Sequence, residues 1–263
     1  MSNVKVVETR KLTKIFLDFW GRKKKTALRA LDIHVDEGEI FGLLGPNGSG
    51  KTTTIKLLLG LLYPSEGEAF VLGKPTTDVK KNEYIGYLPE ESYLYRFLNA
   101  EETLDFYGRL FDIEPRVRRK RAAELIQRVG LERDKKRQLR EYSKGMRQRI
   151  GLARALYGEP ALVVLDEPNA NLDDEGEAAL VRAVQGLKAK GKTVVLISHR
   201  PGIVGVADRL LILQQGAVQA SGPRDGVLAA LQKQREAAQA ALAPSANDAS
   251  ASGPADGNPS SNS

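Results

Sequence analysis

The segment GPNGSGKTT, residues 45–53, combines glycines, a lysine and threonines in the order of a phosphate-binding loop. It fits G-x-x-x-x-G-K-[ST] and stands between a strand-like segment, IFGLLG, and a helix-like one, TTTIKLLL, as the pattern requires. Glycines let successive backbone N–H groups surround phosphate oxygens, and the helix N-terminus adds partial positive charge. The residues predicted to contact nucleotide phosphates are Gly45, Pro46, Asn47, Gly48, Ser49, Gly50, Lys51, Thr52 and Thr53.

A second segment, ALVVLDEP at residues 161–168, supplies carboxylates that suit the same reaction. Its apolar run predicts a buried strand ending in Asp166, at the sheet edge where the phosphate loop also emerges. We predict that Asp166 and the Thr52 hydroxyl hold Mg²⁺, and that Lys51 bridges the β- and γ-phosphates as a catalytic residue. Glu167 is placed to accept a proton from a water attacking the γ-phosphate. A solvated strand end is the plain alternative, and the flanking apolar run and Pro168 argue against it.

Two further polar positions stand at the ends of predicted elements. The segment YSKGMRQRI, residues 142–150, has a serine and a glycine at a helix start, which by itself is typical of any serine-capped helix. His199 ends the apolar strand TVVLIS, where its imidazole is predicted to bond phosphate and align the water of Glu167. His34 stands on a strand with Asp32 and Asp36 on its own face, so we predict a solvent-facing residue without function.

The elements that must position these residues alternate between strand and helix, except in one stretch. Two strand-like segments at the N-terminus, separated by the basic loop WGRKKKT, predict a first sheet. Strands alternate with helices after the phosphate loop, and this alternation resumes after Pro160. Residues 99–158 are helical throughout, so they are interpreted as an insertion into a parallel sheet. We predict a domain over residues 4–242 with a helical subdomain at about 92–158, and a disordered tail over the polar residues 243–263.

Composition narrows the location and the partners. The chain has no cysteine, so no disulfides are expected. It also has no long apolar run and no signal-like N-terminus, so we predict neither membrane spans nor secretion. The predicted location is therefore the cytoplasm. The net charge of the chain is +7. The segment between Arg116 and Arg149 is strongly basic, with fourteen Lys and Arg against four Asp and Glu. That segment is either a solvated helical face or a surface that meets acidic protein loops or anionic lipid headgroups.

Taken together, residues 5 to 220 resemble the ATP-binding subunits of ABC transporters. The resemblance implies an α/β fold: a P-loop NTPase core with a mainly parallel sheet, an N-terminal antiparallel β subdomain and an inserted α-helical subdomain. It identifies Ser143 and Gly145 as the family's signature loop, Asp173 as the end of its D-loop and His199 as its switch histidine. All three motifs are predicted to belong to the nucleotide site.

The same resemblance assigns two less regular positions. The aromatic residue that stacks on adenine follows the first strand, which indicates Phe16, although Trp20 is open as the alternative because extra residues separate the first two strands. Glu90 stands where the family often has glutamine, and it is predicted to touch the nucleotide and Mg²⁺. Lys144 and Asn171 are further departures, the first in the signature loop and the second in the D-loop.

The resemblance also implies how such a chain works. Family members dimerise head to tail, so that the signature loop of one subunit caps the ATP on the phosphate loop of the other. This chain carries one copy of each loop, so a second copy or a paralogue is predicted as partner. A separate membrane permease, docking near Glu90 to Tyr95, is the other predicted partner; no specific nucleic acid is expected.

The predicted function is ATP hydrolysis that drives transport, with a lean towards export, at the cytoplasmic face of the membrane. The alternatives are a soluble ABC-type ATPase in translation, DNA repair or cofactor assembly, and a nucleotide-binding regulator that does not hydrolyse ATP. Translation factors of this type usually carry two cassettes, and repair members carry inserted coiled coils or zinc modules, which this sequence lacks. Intact Lys51, Asp166, Glu167 and His199 argue against the regulator.

Overall fold

The computed structural model describes residues 4–198 and 200–242. His199 and the predicted tail at 243–263 lie outside the described residues. The chain divides into two units, residues 1–227 and 228–263, and the second contributes to the described residues only the later part of the last helix. The sheets, the predicted site residues and both cavities discussed below belong to the first unit.

Within the described residues the strands are β1 Lys5–Leu17, β2 Lys23–Leu31, β3 His34–Asp36, β4 Ile40–Leu44, β5 Glu66–Val71, β6 Lys74–Pro75, β7 Ile85–Leu88, β8 Leu162–Asp166, β9 Thr193–Ile197, β10 Arg209–Gln214 and β11 Ala217–Pro223. The α-helices are α1 Lys51–Leu58, α2 Ala100–Leu110, α3 Pro115–Arg128, α4 Lys144–Leu156, α5 Asp174–Ala189, α6 Pro201–Val204 and α7 Arg224–Leu242. None of these helices combines the length and apolar composition that a membrane span needs.

The strands form two sheets of different type. In the first sheet β1 pairs antiparallel with β2, β3 and β5, and β5 pairs with β6. The second sheet has the order β11-β10-β4-β9-β8-β7, parallel except for the β10–β11 hairpin. An antiparallel N-terminal sheet, a mainly parallel second sheet and inserted helices are the fold class that the sequence predicted, which is confirmed.

The parallel sheet brings the predicted catalytic segments to one edge. Strands β8 and β9 are buried along their whole length, because a parallel sheet is covered on both faces and its strands are therefore nearly continuously apolar. Strand β9 lies between β4 and β8, and all three run in the same direction. Their carboxyl ends therefore meet at the same sheet edge, which carries the phosphate loop after β4 and Asp166 at the end of β8.

The inserted helices begin at side chains that bond the first free backbone N–H groups. Asn99 and Glu102 form a reciprocal capping box at α2, and Glu114 accepts from two backbone N–H groups of α3, which has Pro115 in its first turn. Ser143 caps α4 by accepting from the backbone N–H of Met146 at 3.1 Å. These three starts explain why the sequence indicated a helical segment; the limits of the subdomain at 92–158 stay a prediction.

One local prediction differs from the structure, and one pair of strands was not predicted. The prediction of a loop over 20–26 is wrong for its second half, because β2 begins at Lys23 and pairs with β1. Lysines are depleted in central strands, but β2 is an edge strand, where charged side chains protect the unpaired edge. No element was predicted over residues 209–223, where the structure has the antiparallel pair β10 and β11.

Candidate active site

The phosphate loop is closed by backbone contacts that only glycine allows. Gly45 and Gly50 have φ angles of +147° and +114°. A Cβ on Gly45 would lie 2.2 Å from the carbonyl oxygen of Leu213, and one on Gly50 would lie 2.6 Å from that of Ala27. The loop is therefore held between the β10 and β2 backbones, and its glycines keep the concave backbone that a phosphate group needs.

The helix that follows the loop starts with its N-terminus uncovered by side chains. No side chain caps α1, and no acidic residue lies in its first turn, so its partial positive charge is left for an anion. The Lys51 Nζ donates to the carbonyl oxygens of Gly45 and Pro46, at 2.7 and 3.2 Å. These bonds hold the ammonium group against the loop, where a phosphate oxygen would meet it.

The carboxylates at the sheet edge influence one another. Burial, together with the negative charges of Glu90 and Glu167, raises the pKa of Asp166 to about 6. Glu167 adopts a φ of +47°, an uncommon conformation for a non-glycine residue, and its backbone N–H donates to the carbonyl of Ile197 on β9 at 3.0 Å. The chain turn after β8 is thus fixed to the neighbouring strand, and three acidic side chains share one small region.

These carboxylates fit a hard cation. Mg²⁺ prefers oxygen ligands and is held by one or two carboxylates together with phosphates and water. A cation next to Asp166 would relieve the unfavourable charge that raises its pKa. Among the described residues, no group of three His, Cys, Asp or Glu side chains is close enough to hold a metal alone. The donor set therefore suits an ion that arrives with a triphosphate, and Thr52, Asp166 and Glu90 are the candidates to hold it.

A cavity of about 310 Å³ joins the phosphate loop to residues from three other segments. Its lining includes Phe16, Lys25, Gly48, Thr52 and Glu90. Phe16 therefore lies beside the phosphate loop, as an adenine-stacking residue requires. Trp20 does not line the cavity and stands 76% exposed beyond it.

Lys25 was missed by sequence reasoning. It pairs directly with Phe16 across the β1–β2 ladder, and its Nζ would lie 3.7 Å from a Cβ on Gly48. The ammonium group thus faces the phosphate loop from the neighbouring sheet, where it adds positive charge next to Lys51. The signal was present in the basic run, but only the strand pairing shows which of its lysines points to the loop.

The Ser143 loop lies apart from the phosphate cavity of its own chain. Neither Ser143 nor Gly145 lines that cavity; a second cavity of about 340 Å³ is lined by Lys144, Gln148 and Asn171 and shares Glu90 with the first. A Cβ on Gly145 would lie 2.6 Å from the carbonyl oxygen of Asn171. The glycine therefore also serves close packing within its own chain, a reason that the sequence did not reveal.

The remaining predicted residues have mixed outcomes. Asp173 is exposed and caps α5, accepting from the backbone N–H of Gly176 at 2.9 Å, and it lines neither cavity. Its contact with nucleotide stays a prediction. The Ser198 hydroxyl, next to the position of His199, donates to Asn169 at 2.9 Å and so ties the end of β9 to the segment after β8. His34 is exposed on β3, as predicted.

Comparison with known proteins adds an independent line of support. The family model described as "ABC transporter" matches residues 28–170, which include the phosphate loop, the Ser143 loop and the acidic residues Asp166 and Glu167. The chain belongs to the ABC transporter family. This ABC protein is therefore one of the ATP-binding subunits that its motifs predicted.

Curated relatives agree with this assignment. An uncharacterized ABC transporter ATP-binding protein of Synechocystis is 44% identical over 227 residues, covering 85% of this chain. The chain spans 64% of that relative's length. The linearmycin resistance ATP-binding protein of Bacillus subtilis is 36% identical, with 76% of this chain and 66% of the relative covered. The Nod factor export ATP-binding protein I of Cupriavidus pinatubonensis is 35% identical, with coverages of 74% and 58%.

A solved structure shares the fold of this ABC subunit. It is a dimeric ATP-binding cassette in a post-hydrolysis state, bound to ADP and phosphate. The two chains superpose with a TM-score of 0.77 at 27% sequence identity, covering 83% of this chain and 98% of the other. The arrangement of sheets and inserted helices described above is therefore that of an ATP-binding cassette.

Proposed function

We propose that this chain binds ATP with Mg²⁺, hydrolyses it within a dimer and thereby drives a separate membrane permease, in the direction of export. The observation that carries the proposal is the cavity that joins the phosphate loop, Phe16 and Glu90 next to the buried Asp166. An uncapped helix N-terminus and Lys51 supply positive charge for a triphosphate. The acidic residues beside them supply ligands for its cation and a base.

Each side chain of the site then has one role. Lys51 and Lys25 neutralise phosphate charge, and Phe16 stacks on the adenine ring. Glu167 accepts a proton from the attacking water. At the same time the water oxygen forms a bond to the γ-phosphorus, and the bond between the γ-phosphorus and the bridging oxygen of the β-phosphate breaks. Asp166, Thr52 and Glu90 hold Mg²⁺, which when bound neutralises charge on the phosphate oxygens.

A complete site needs two chains. Ser143 begins α4 and is exposed, but it lies outside the phosphate cavity of its own chain. The helix N-terminus behind it favours anions, so we propose that it meets the γ-phosphate bound by a partner chain. The dimeric state of the related cassette with ADP and phosphate supports this arrangement. His199 and Asp173 are proposed to act at the same interface.

The direction of transport is inferred from relatives. One is named for Nod factor export and another for linearmycin resistance, and both are about a third identical to this chain. We propose that the translocation pathway belongs to a separate permease. We propose that this permease holds the subunit at the cytoplasmic membrane face and contacts it near Glu90 to Tyr95.

The experiment that tests the proposal is a comparison of Glu167→Gln with Lys51→Ala in the full chain. Glu167→Gln should bind ATP, accumulate an ATP-bound dimer and lose at least ~10²-fold in turnover, since it lacks the base. Lys51→Ala should lose ATP affinity and therefore stay monomeric. Gel filtration with ATP and a phosphate-release assay measure both properties. Wild-type turnover in the Glu167→Gln variant would contradict the proposed mechanism.

A further inference from the structure

The turn between β1 and β2 is built by one carboxylate. Asp18 accepts hydrogen bonds from the backbone N–H groups of Trp20 and Arg22, at 2.9 and 2.8 Å, and from the Arg22 guanidinium at 3.0 Å. The Asp18 N–H donates to the Arg22 carbonyl at 2.8 Å, and Gly21 has a φ of +74°. The hairpin tip, defined here as residues 17–24, therefore has a fixed turn conformation.

This fixed turn holds apolar side chains in water. Leu17, Phe19 and Trp20 are 59%, 94% and 76% exposed. The two rings contact each other edge to face at 5.5 Å, so they form one small apolar surface. Phe16 lines the cavity beside the phosphate loop, whereas neither Phe19 nor Trp20 does. ATP binding therefore does not explain these two rings.

The cations of the hairpin tip follow the rings directly. Arg22 is paired with Asp18, whereas Lys23 and Lys24 are exposed and form no ion pair with any described residue. The cations of the helical segment differ, because several of them are neutralised by acidic partners. These pairs are Arg118–Asp105, Arg121–Glu159, Lys135–Glu101, Lys136–Glu101 and Arg137–Asp134.

We propose that the hairpin tip inserts into the headgroup region of an anionic lipid membrane. Tryptophan and phenylalanine prefer the boundary between headgroups and acyl chains, and lysine ammonium groups reach the lipid phosphates from the same depth. A convex tip with two rings and unpaired lysines fits this layered surface, whereas a docking groove for a peptide would be concave. The contact is independent of ATP hydrolysis and adds a second attachment to the membrane beside the permease.

Trp20 is the only tryptophan in the sequence, so its fluorescence reports directly on the environment of the hairpin tip. The full-length protein is mixed with vesicles of phosphatidylcholine alone or with 30% phosphatidylglycerol. We expect a blue shift of Trp20 emission, and quenching by brominated acyl chains, with the anionic vesicles only. A shift produced by native membrane vesicles but by no protein-free vesicle would overturn the proposal and assign the tip to a protein contact. No shift with any vesicle would also overturn it.

Matched variants locate the contact. Lys23→Gln/Lys24→Gln should weaken co-sedimentation with anionic vesicles at least tenfold, since each cation near the surface contributes roughly fivefold. Arg116→Gln/Lys120→Gln removes the same charge from exposed positions on α3 and should change binding less than twofold. Phe19→Ser should abolish bromolipid quenching of Trp20. All three variants should keep wild-type ATPase in solution, which shows that they fold. Equal losses in both double variants would mean diffuse charge attraction and would overturn the proposal.

Discussion

The phosphate loop and the Ser143 loop both place glycine at the start of a helix, but they satisfy that helix start differently. Helix α1 has no side-chain cap, and the Lys51 Nζ donates to two carbonyl oxygens of its own loop. Helix α4 is capped by the hydroxyl of Ser143, and Gly145 packs against the Asn171 carbonyl. The first loop leaves its N-terminal charge for a ligand, while the second uses part of it within the chain.

This difference supports the proposal that the phosphate loop binds the nucleotide and that the Ser143 loop completes the site of a partner chain. An uncapped helix start surrounded by Lys51, Lys25 and an aromatic ring can hold a nucleotide in one chain. A capped and exposed start can add only the residual helix charge and its outer surface to a phosphate that is already held. The sequence indicates an anion site at both loops and a serine cap at the second, and the structure adds that the first helix start has no side-chain cap.

The largest effect is expected from a substitution in the Ser143 loop. Ser143→Asp keeps a good helix cap but adds a negative charge, so ATP binding should survive while turnover falls at least ~10²-fold. Ser143→Asn is the matched control, which caps equally well without charge and should stay within a few-fold of wild type. Nucleotide affinity and phosphate release measure the two effects. Gly145→Asp is less informative, because its Cβ would clash with Asn171 in the same chain.

A mixture tests whether the two loops belong to different chains. Combining Ser143→Asp with Lys51→Ala protein should restore activity in the heterodimer, where an intact phosphate loop meets an intact Ser143. Neither variant alone should be active. If Ser143→Asp instead prevents ATP binding by the isolated chain, the loop acts in its own subunit and the two-chain site is wrong.

We expect the carboxylates near the phosphate loop to destabilise the folded protein electrostatically, an effect that the Ser143 loop lacks. The pKa of Asp166 is raised to about 6 from an ordinary 3.8, so the native state binds its proton more tightly. Its ionisation therefore destabilises the fold as pH rises from about 4 to about 6, and the cost persists above that. Asp166→Asn should remove roughly 2 to 3 kcal/mol of this cost, because each pKa unit corresponds to about 1.4 kcal/mol.

The measurement is thermal unfolding in EDTA without nucleotide. Asp166→Asn should raise the Tm by a few degrees at pH 7.5 and by little at pH 4, where the native-state carboxyl is protonated and little of this cost has developed. Asp173→Asn is the control, because this exposed helix cap keeps its function as asparagine. An equal gain at both pH values would show that charge is not the cause.

Substitutions of Phe16 and Trp20 test which aromatic ring contacts the bound nucleotide. Phe16→Ala should weaken ATP binding about tenfold, since a base loses its stacking surface. Trp20→Ala should leave the affinity unchanged, because the ring lies outside the cavity. Titration with a fluorescent ATP analogue compares them. A larger loss for Trp20→Ala would reverse the assignment and weaken the membrane proposal as well.

The smallest effect is expected where the two cavities meet. Glu90 lines both of them, and its charge raises the pKa of Asp166. Glu90→Gln should keep ATP binding but raise the Mg²⁺ concentration for half-maximal hydrolysis about threefold, because a neutral amide replaces one carboxylate. Glu91→Gln is the neighbouring control. An unchanged magnesium titration would show that Glu90 does not reach the ion.

Much of the site was predictable because its motifs are local. The phosphate loop, the acidic pair at the end of β8 and the cap at Ser143 each depend on fewer than about ten consecutive residues and on the element they adjoin. The comparisons confirm the predicted family, fold class and role as an ATP-binding subunit. The assignment of individual side chains to nucleotide and metal stays a prediction, and that of His199 lies outside the described residues.

Other features could not be predicted because they depend on pairing between distant segments. Lys25 was taken for a loop residue, and only the β1–β2 register places it opposite Phe16 and beside Gly48. The packing of Gly145 against Asn171 likewise joins segments 26 residues apart. Such contacts are set by how strands and helices pack, and local composition carries no record of them.

The sequence by itself determined the order of elements and the chemistry at their ends, because helix caps, glycine turns and apolar runs act over short distances. Tertiary structure decided which ends share an edge: β9 lies between β4 and β8, so the phosphate loop and Asp166 meet there. It also decided that Phe16 faces the nucleotide cavity while Trp20 faces solvent, because the tight turn at Asp18 separates two rings only four residues apart.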